Sequence, residues 1–157
     1  ILQPGPGVGG HCIAVDPWFI VDSAPDDTDL IRVARKVNDA KPGHLAEQII
    51  HAANDMDAPV IACLGLAYKA DIDDLRQSPA MDVVRLLAKA KAGQILCVEP
   101  HIETLPAELE GATLSSLDDA LDKADIVVLL VDHKDFKLVA RDRLSEKQVF
   151  DARGIWR

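Results

Sequence analysis

The chain has 157 residues, enough for one compact domain with additional helices, and a net charge of −9 that would repel a polyanion. Its hydrophobic fraction of 48% and charged fraction of 27% exclude a disordered chain, and without clustered cations or aromatic residues a nucleic-acid-binding protein is also excluded. The longest aliphatic run, 126–131, is far shorter than the roughly 20 residues that cross a bilayer, and no signal peptide opens the chain, so we expect no membrane insertion and a cytoplasmic location.

The first part of the chain is predicted to be an opening loop followed by helices. Apolar residues at helical spacing indicate a helix that ends near Asn38, and Pro42 is expected to begin a second helix that stops before Pro59. Residues 25–57 are therefore predicted to form a helical pair. The segment 13–17 is not expected to be helical.

The second part changes to short aliphatic runs that alternate with helical stretches, a pattern typical of a parallel sheet with crossover helices. Ser78 and Pro79 are expected to start a helix that Gly93 closes, and further helices are predicted at 116–121 and within 133–144. The fold class is therefore α/β, a small Rossmann-like domain with a parallel sheet. Its strands are predicted at about 60–65, 95–98, 126–131 and 148–151.

The three cysteines differ in their surroundings. Cys63 and Cys97 lie in apolar, strand-like runs, where cysteine behaves as a small hydrophobic residue, whereas Cys12 follows a glycine-rich loop. Their spacing indicates neither a disulfide framework nor a zinc site. No metal is expected, because the remaining candidate ligands lack a suitable spacing: His44, His51 and His101.

The opening loop matches the G-x-G-x-x-G dinucleotide pattern at Gly5, Gly7 and Gly10. That interpretation requires a strand before the glycines and a helix beginning within them, and neither is predicted. The favoured alternative is that the glycines let the backbone approach a ligand while Cys12 offers a nucleophilic thiol. An ordinary turn with an incidental cysteine also stays open. His11 is a weak candidate base, because adjacent residues of an extended segment point to opposite sides.

Three stretches resemble signatures of the UDP-glucose/GDP-mannose 6-dehydrogenase family: GVGGHCIAVDPWF at 7–19, GLAYKADIDDLRQSPA at 65–80 and FDAR at 150–153. The resemblance implies oxidation of the C6 alcohol of a nucleotide sugar to a carboxylate, with two NAD⁺ consumed. Details of the first motif, together with VNDAKP, resemble the branch that oxidises UDP-N-acetyl-D-mannosamine to the uronate. Val15 stands where UDP-glucose enzymes typically carry lysine, so their details do not transfer simply.

The resemblance also implies roles for individual residues. Cys12 would attack the intermediate aldehyde and carry a thiohemiacetal and then a thioester, and Asp16 would position or activate water. Arg76 would approach NAD. The UDP-sugar would be bound by a larger set: Gln3, Gly5, Gly7, Val8, Gly9, Tyr68, Lys69 and Arg153. Simpler roles stay open for three of these features: Asp16 as a turn acid, the loop around Lys69 as a solvated connection, and Arg153 as an exposed charge.

The implied domain organisation divides the chain in two. Residues 1–58 would hold the cysteine loop and part of the central dimerisation domain, and residues 59–157 the UDP-binding domain. NAD would be bound mainly by an N-terminal domain absent from this chain, so we expect the chain alone to be inactive and the full-length protein to be a homodimer. Glu99 lies where an NAD-binding sheet has its ribose acid, but no short glycine-rich turn follows Gly65, so this sheet is not expected to bind NAD.

Several other functions remain possible at this point. A sibling dehydrogenase could act on UDP-N-acetylglucosamine, UDP-glucose or GDP-mannose. The chain could also be a UDP-binding and dimerisation module without chemistry. A cysteine hydrolase is less favoured, because no Asn or Asp partner set is evident.

Overall fold

The computed structural model describes residues 3–156. Two helices come first, α1 at Asp16–Ser23 and α2 at Asp29–Asn54, and an alternating α/β arrangement follows. Its strands are β1 Val60–Leu64, β2 Gln94–Val98, β3 Ala112–Leu114, β4 Ile126–Leu129 and β5 Gln148–Asp151. Its helices are α3 Pro79–Ala90 and α4 Leu117–Lys123. Three 3₁₀ turns lie at Ala107–Leu109, Phe136–Leu138 and Arg141–Leu144.

The five strands form one parallel sheet in the order β3-β2-β1-β4-β5, so the predicted Rossmann-like α/β fold is confirmed. Strand order reverses between β1 and β4, and in open α/β sheets ligands bind at the carboxyl ends of the strands on either side of such a point. The sequence missed β3. This strand has three residues, none of them buried, at the edge of the sheet, and so lacks the apolar run that marks the others.

Side chains alternate across the sheet and fill two cores. Ile61 and Cys63 of β1 face a core shared with α2 and α3, whereas Ala62 and Leu64 face a core that includes α4 and Phe136. Both faces of β1 are therefore covered, as expected for a central parallel strand. None of the helices within residues 3–156 combines the length and the apolar character needed to cross a membrane.

The predicted helical pair is wrong, because α2 continues without interruption through Pro42. A proline inside a helix removes the N–H that would pair with the carbonyl four residues earlier, here that of Asn38. That carbonyl oxygen faces the glycine loop, 3.5 Å from where a Cβ on Gly7 would lie. The helix therefore does not break at Pro42, and the single helix α2 packs on α3.

The prediction that 13–17 is not helical is wrong for its last two residues, because α1 begins at Asp16. Pro17 lies in the first turn, where its missing N–H costs no hydrogen bond. The Asp16 N–H donates to the Cys12 carbonyl at 2.8 Å, which links the helix start to the cysteine. The helix predicted within 133–144 is present only as the two separate 3₁₀ turns given above.

Candidate functional site

The cysteine loop is held by α2 on both sides of the cysteine. The Val8 N–H donates to Oδ1 of Asn38 at 2.8 Å, and Nδ2 of Asn38 donates to the Val8 carbonyl at 3.1 Å. Arg35, which is buried and paired with Asp39 at 2.6 Å, directs Nη1 to the Ile13 carbonyl at 3.5 Å. The backbone is therefore fixed four residues before Cys12 and one residue after it.

The same loop packs closely against the second half of the chain. A Cβ on Gly5 would lie 2.6 Å from Nη1 of Arg153, and one on Gly9 would lie 2.2 Å from the Gln77 carbonyl oxygen. Gly10 has φ +92°, and its N–H donates to the same Gln77 oxygen at 3.3 Å. The glycines thus permit close approach to protein atoms. Contact of the loop with a ligand stays a prediction.

The three cysteines lie in two environments. Cys12 is exposed, whereas Cys63 and Cys97 are buried side by side on the same face of the sheet, in register on β1 and β2. Burial, and to a lesser extent the nearby Cys97, raises the pKa of Cys63 well above its ordinary value. Burial raises the pKa of Cys97 to about 12. The nucleophile is the thiolate of an accessible cysteine, and Cys12 is the exposed one of the three.

A thiol titration tests this difference directly. We expect Ellman's reagent to modify one thiol per folded chain and all three in denaturant, because the reagent needs an accessible thiolate. A Cys12→Ala variant should show no fast-reacting thiol when folded. Rapid labelling of a second cysteine in the folded chain would contradict the burial of β1 and β2.

A cleft of about 240 Å³ lies between the glycine loop, the loop after β1 and the carboxyl ends of β4 and β5. It brings together four predicted substrate-binding residues: Gly7, Tyr68, Lys69 and Arg153. Ser78, Pro79 and Ala80 place the first turn of α3 in its wall. A wider cleft of about 520 Å³ lies between Glu99 and Ser116 and contains none of the predicted site residues.

Ser78 was predicted as a helix cap, and it does occupy the N-cap position, but its side chain makes no capping hydrogen bond. The residue is buried, and its hydroxyl oxygen has no hydrogen-bond partner within the part of the chain that the structure describes. A buried hydroxyl without a partner carries a desolvation cost of about 1 to 3 kcal/mol. The Ser78 hydroxyl is therefore an unpaired hydrogen-bond donor next to the free N–H groups at the start of α3.

Arg153 is oriented across the cleft by an acid that the sequence analysis missed. Its Nη2 lies 2.8 Å from Oδ1 of Asp132, which also pairs with Lys137 at 3.2 Å. Burial raises the pKa of Asp132, but the hydrogen bond from Lys137 and the charge of Arg153 outweigh this and hold that pKa below its ordinary value. Asp132 follows β4, so the signal available in sequence was its place at a strand's carboxyl end.

The remaining predicted residues lie outside the cleft lining: Gln3, Gly5, Val8, Gly9, Cys12, Asp16 and Arg76. Arg76 is exposed and pairs with Asp74 at 2.6 Å. The hydrogen bond to Asp74 raises the pKa of Arg76 above its ordinary value, with smaller contributions from Tyr68 and Cys12. The ring of Tyr68, which lines the cleft, lies 3.1 Å from where a Cβ on Gly10 would be, two residues before Cys12.

The turn after β1 does not offer the cradle that NAD would need. In a dinucleotide-binding sheet, the N–H groups of this turn face the pyrophosphate and an acid after the next strand binds the ribose. Here the N–H groups of Leu66 and Ala67 donate to Oε2 of Glu99, at 2.7 and 3.1 Å, so the acid is bound to the turn itself. The structure therefore gives a physical reason for the expectation that this sheet does not bind NAD.

Glu99 belongs to a buried hydrogen-bond network. Nε2 of His133 lies 3.1 Å from Oε2 of Glu99, and both residues are buried. Burial raises the pKa of Glu99, but the hydrogen bonds from His133 and from the Leu66 and Ala67 N–H groups outweigh it and hold that pKa below its ordinary value. Glu99 is therefore a carboxylate at neutral pH.

Replacing Glu99 with glutamine should lower stability above about pH 5 and have little effect in stronger acid. A depressed folded-state pKa adds stability that is present above the unfolded pKa and is lost as the pH falls through the folded value. We expect a loss of about 1 to 3 kcal/mol at pH 7, because the donors then face a neutral amide. Urea unfolding of both proteins between pH 3 and 7 measures this, and a pH-independent difference would contradict it.

One group within residues 3–156 could hold a metal ion: Asp71, His101 and His133, whose ligand atoms lie within 4.8 Å of one another. The sequence spacing gave no sign of it, because the three residues come from different loops. Both ring nitrogens of His133 are already in hydrogen bonds, Nδ1 accepting from the Asp71 N–H at 2.9 Å and Nε2 facing Glu99. A metal bound at Nδ1 would have to displace the first of these bonds, and the absence of a metal stays a prediction.

Comparison with known proteins places these features in a family. The family model "UDP-glucose/GDP-mannose dehydrogenase family, UDP binding domain" matches residues 62–157, and the model for the central domain of that family matches residues 1–40. The NDP-N-acetyl-D-galactosaminuronic acid dehydrogenase of Ralstonia solanacearum is 58% identical over 156 residues, which cover 99% of this chain and 37% of that protein. The UDP-N-acetyl-D-mannosamine dehydrogenase of Escherichia coli K12 is 52% identical over 166 residues, which cover 100% of this chain and 40% of that protein.

A solved structure of the UDP-D-ManNAc dehydrogenase from Pyrococcus horikoshii matches with a TM-score of 0.80 and 32% identity, covering 99% of this chain and 37% of that one. The chain thus spans 37% to 40% of the length of these relatives. The sequence motifs, the parallel sheet and the match over residues 62–157 agree. This chain belongs to the UDP-glucose/GDP-mannose dehydrogenase family.

Proposed function

We propose that this chain is the part of a nucleotide-sugar 6-dehydrogenase that binds the UDP half of the substrate and supplies the thiol nucleophile. The observation that carries the proposal is the cleft in which Lys69, Arg153 and the unpartnered Ser78 hydroxyl converge on the start of α3. The start of a helix favours an anion through its dipole and free N–H groups. Together these groups suit a diphosphate, on a chain that is otherwise acidic.

Each group has a distinct role in this proposal. The Arg153 guanidinium, held by Asp132, makes a bidentate phosphate contact, and Lys69 adds a second positive charge. The Ser78 hydroxyl donates a hydrogen bond to a phosphate oxygen. The sugar extends from the diphosphate past Tyr68 towards Cys12, while Gln3 and the glycines from Gly5 to Gly9 border it.

Cys12 then acts on the aldehyde formed from the C6 alcohol. Its sulfur adds to the carbonyl carbon, and the carbonyl oxygen takes up a proton, which gives a thiohemiacetal. Both oxidations, of the alcohol to the aldehyde and of this adduct to a thioester, need a hydride acceptor, which the family implies is NAD, held mainly outside this chain. Water, positioned by Asp16, releases the carboxylate and regenerates the thiol. Arg76 stays the proposed contact to NAD from this chain.

The first substrate we propose is UDP-N-acetyl-D-mannosamine, oxidised to the uronate, in line with the 52% identical relative. The name of the 58% identical relative favours an N-acetylgalactosamine nucleotide as the second candidate. A substrate panel on the full-length protein, including UDP-N-acetylglucosamine, UDP-glucose and GDP-mannose, separates these. The isolated chain should not reduce NAD with any of them.

We also propose that the full-length protein is a cytoplasmic homodimer. The support for dimerisation is a set of exposed apolar side chains on α1 and α2: Phe19, Leu30, Val33 and Val37. The support for the location is that nucleotide sugars and NAD are cytoplasmic metabolites. The proposed division at residues 58 and 59 assigns these helices to the central domain. Sedimentation of the full-length protein tests the oligomeric state.

Replacing Ser78 with alanine tests the diphosphate site. We expect UDP to bind about tenfold more weakly, by calorimetry, while the free energy of unfolding stays equal or rises, because the hydroxyl has no partner to lose. Ser145→Ala, at an exposed serine directly after the last 3₁₀ turn, is the control and should leave UDP binding unchanged. NAD binding in preference to UDP, or unchanged UDP affinity in Ser78→Ala, would contradict the site.

A further inference from the structure

The loop that carries Lys69 is anchored on both sides by one buried pair of side chains. On the amino side, the N–H groups of Leu66 and Ala67 donate to Oε2 of Glu99. On the carboxyl side, the Asp71 N–H donates to Nδ1 of His133 at 2.9 Å. Since His133 also contacts Oε2 of Glu99, the two anchors meet at a single carboxylate oxygen.

The anchor on the carboxyl side holds a conformation that the backbone does not favour. Asp71 has φ +60°, in the left-handed region, where a residue other than glycine is strained. Its carboxylate Oδ1 accepts the Lys134 N–H at 3.0 Å, next to the bond from its own N–H to His133. The segment after β4 therefore fixes the backbone two residues beyond Lys69.

The hydrogen bonds assign one tautomer to His133. Nδ1 accepts the Asp71 N–H, so the ring proton must lie on Nε2, where it is donated to Glu99. The ring is wholly buried and lies nearly perpendicular to the ring of Phe136, at a centroid distance of 5.3 Å. A proton on Nδ1 would oppose the Asp71 N–H, so the hydrogen bonds fix the Nε2–H tautomer.

We propose that Glu99 and His133 are positioning residues for Lys69, which they act on through the backbone on either side of it. This inference rests on the proposed function, in which Lys69 contacts the diphosphate. In an NAD-binding sheet the acid after β2 contacts the ribose. Here Glu99, the acid in that position, would instead fix the loop that presents Lys69 to the nucleotide. Neither residue lines the cleft that holds Lys69, so neither touches the ligand.

Two replacements of His133 separate its two bonds. In His133→Gln the side-chain amide reaches the place of Nε2 and keeps a donor for Glu99, but the acceptor for Asp71 is lost. In His133→Asn the amide oxygen lies near the place of Nδ1 and keeps the acceptor, but the donor is lost. We expect UDP to bind the full-length His133→Gln protein about tenfold more weakly, and His133→Asn to lie between it and the parent.

A double-mutant cycle shows whether this loss acts through Lys69. UDP affinity is measured by calorimetry, well below the melting temperatures, for Lys69→Ala, His133→Gln and the double variant. We expect the double variant to bind no more weakly than Lys69→Ala alone. His51→Gln, at an exposed histidine of α2, is the control and should bind as the parent does. A residue that served stability alone would lower the melting temperature without this loss.

The outcomes distinguish the inference from the function on which it rests. Parent-like UDP binding by His133→Gln, or additive losses in the double variant, overturns the positioning role and leaves the diphosphate site standing. Parent-like binding by Lys69→Ala overturns both. A third measurement needs no variant: ¹⁵N-histidine spectra should show the Nε2–H tautomer for His133. An Nδ1–H tautomer would overturn the inference.

Discussion

Replacing Cys12 with serine in the full-length protein should lower the rate of NAD-dependent oxidation of the nucleotide sugar by roughly a thousandfold or more. A cysteine is partly ionised at neutral pH and strongly nucleophilic, whereas an unactivated serine hydroxyl is neither. NADH formation, followed by absorbance with the preferred substrate of the panel, measures the effect.

UDP binding is the internal control for this variant. Cys12 lies outside the lining of the cleft, so Cys12→Ser should bind UDP with the affinity of the parent. Loss of turnover with intact binding separates the thiol mechanism from damage to the fold. Turnover within a few-fold of the parent would contradict the proposed nucleophile, and it would favour the interpretation of the glycine loop as an ordinary turn with an incidental cysteine.

Replacing Gly9 with alanine is expected to destabilise the chain by about 3 kcal/mol, which corresponds to a fall in Tm of about 10 °C. The added Cβ would lie 2.2 Å from the Gln77 carbonyl oxygen and 2.6 Å from Cδ of Pro79, so backbone must move on one side or the other. Thermal unfolding followed by circular dichroism measures the change. The same movement shifts Cys12, so the full-length variant should also lose turnover.

Gly43→Ala is the matched control. Gly43 lies in α2 with no atom within 4 Å of an added Cβ, and alanine is favoured over glycine in a helix by about 0.5 to 1 kcal/mol. This variant should therefore be slightly more stable than the parent. A Gly9→Ala protein as stable as the parent would show that the loop does not approach Gln77 as closely as the structure has it.

Together these variants test one arrangement, in which the cysteine loop is held by α2 and lies against the cleft. Asn38 fixes the backbone at Val8, and Gln77 accepts the Gly10 N–H from the opposite side. Gln77 itself has φ +50°, a strained value that persists where the surroundings determine it. The thiol is thus placed by both halves of the chain, and a change in either half should reach it.

The sequence by itself determined the elements whose signals are local. Alternating aliphatic runs indicated four of the five strands and the parallel sheet, and Ser78 with Pro79 marked the start of α3. Cys12 and Lys69 followed, as candidate site residues, from the motifs at 7–19 and 65–80. Each of these features depends on residues close together in the chain, so a pattern of a few residues is enough to indicate it.

Only the tertiary structure decided the features that depend on distant residues. Pro42 breaks no helix, because packing against α3 stabilises α2 beyond what the lost hydrogen bond costs. The pairing of Arg153 with Asp132, and of Glu99 with His133, joins loops from separate strands. Sequence patterns report the faces and ends of single elements, whereas these contacts are set by the order of the strands in the sheet, which brings the carboxyl ends of β1, β2, β4 and β5 together.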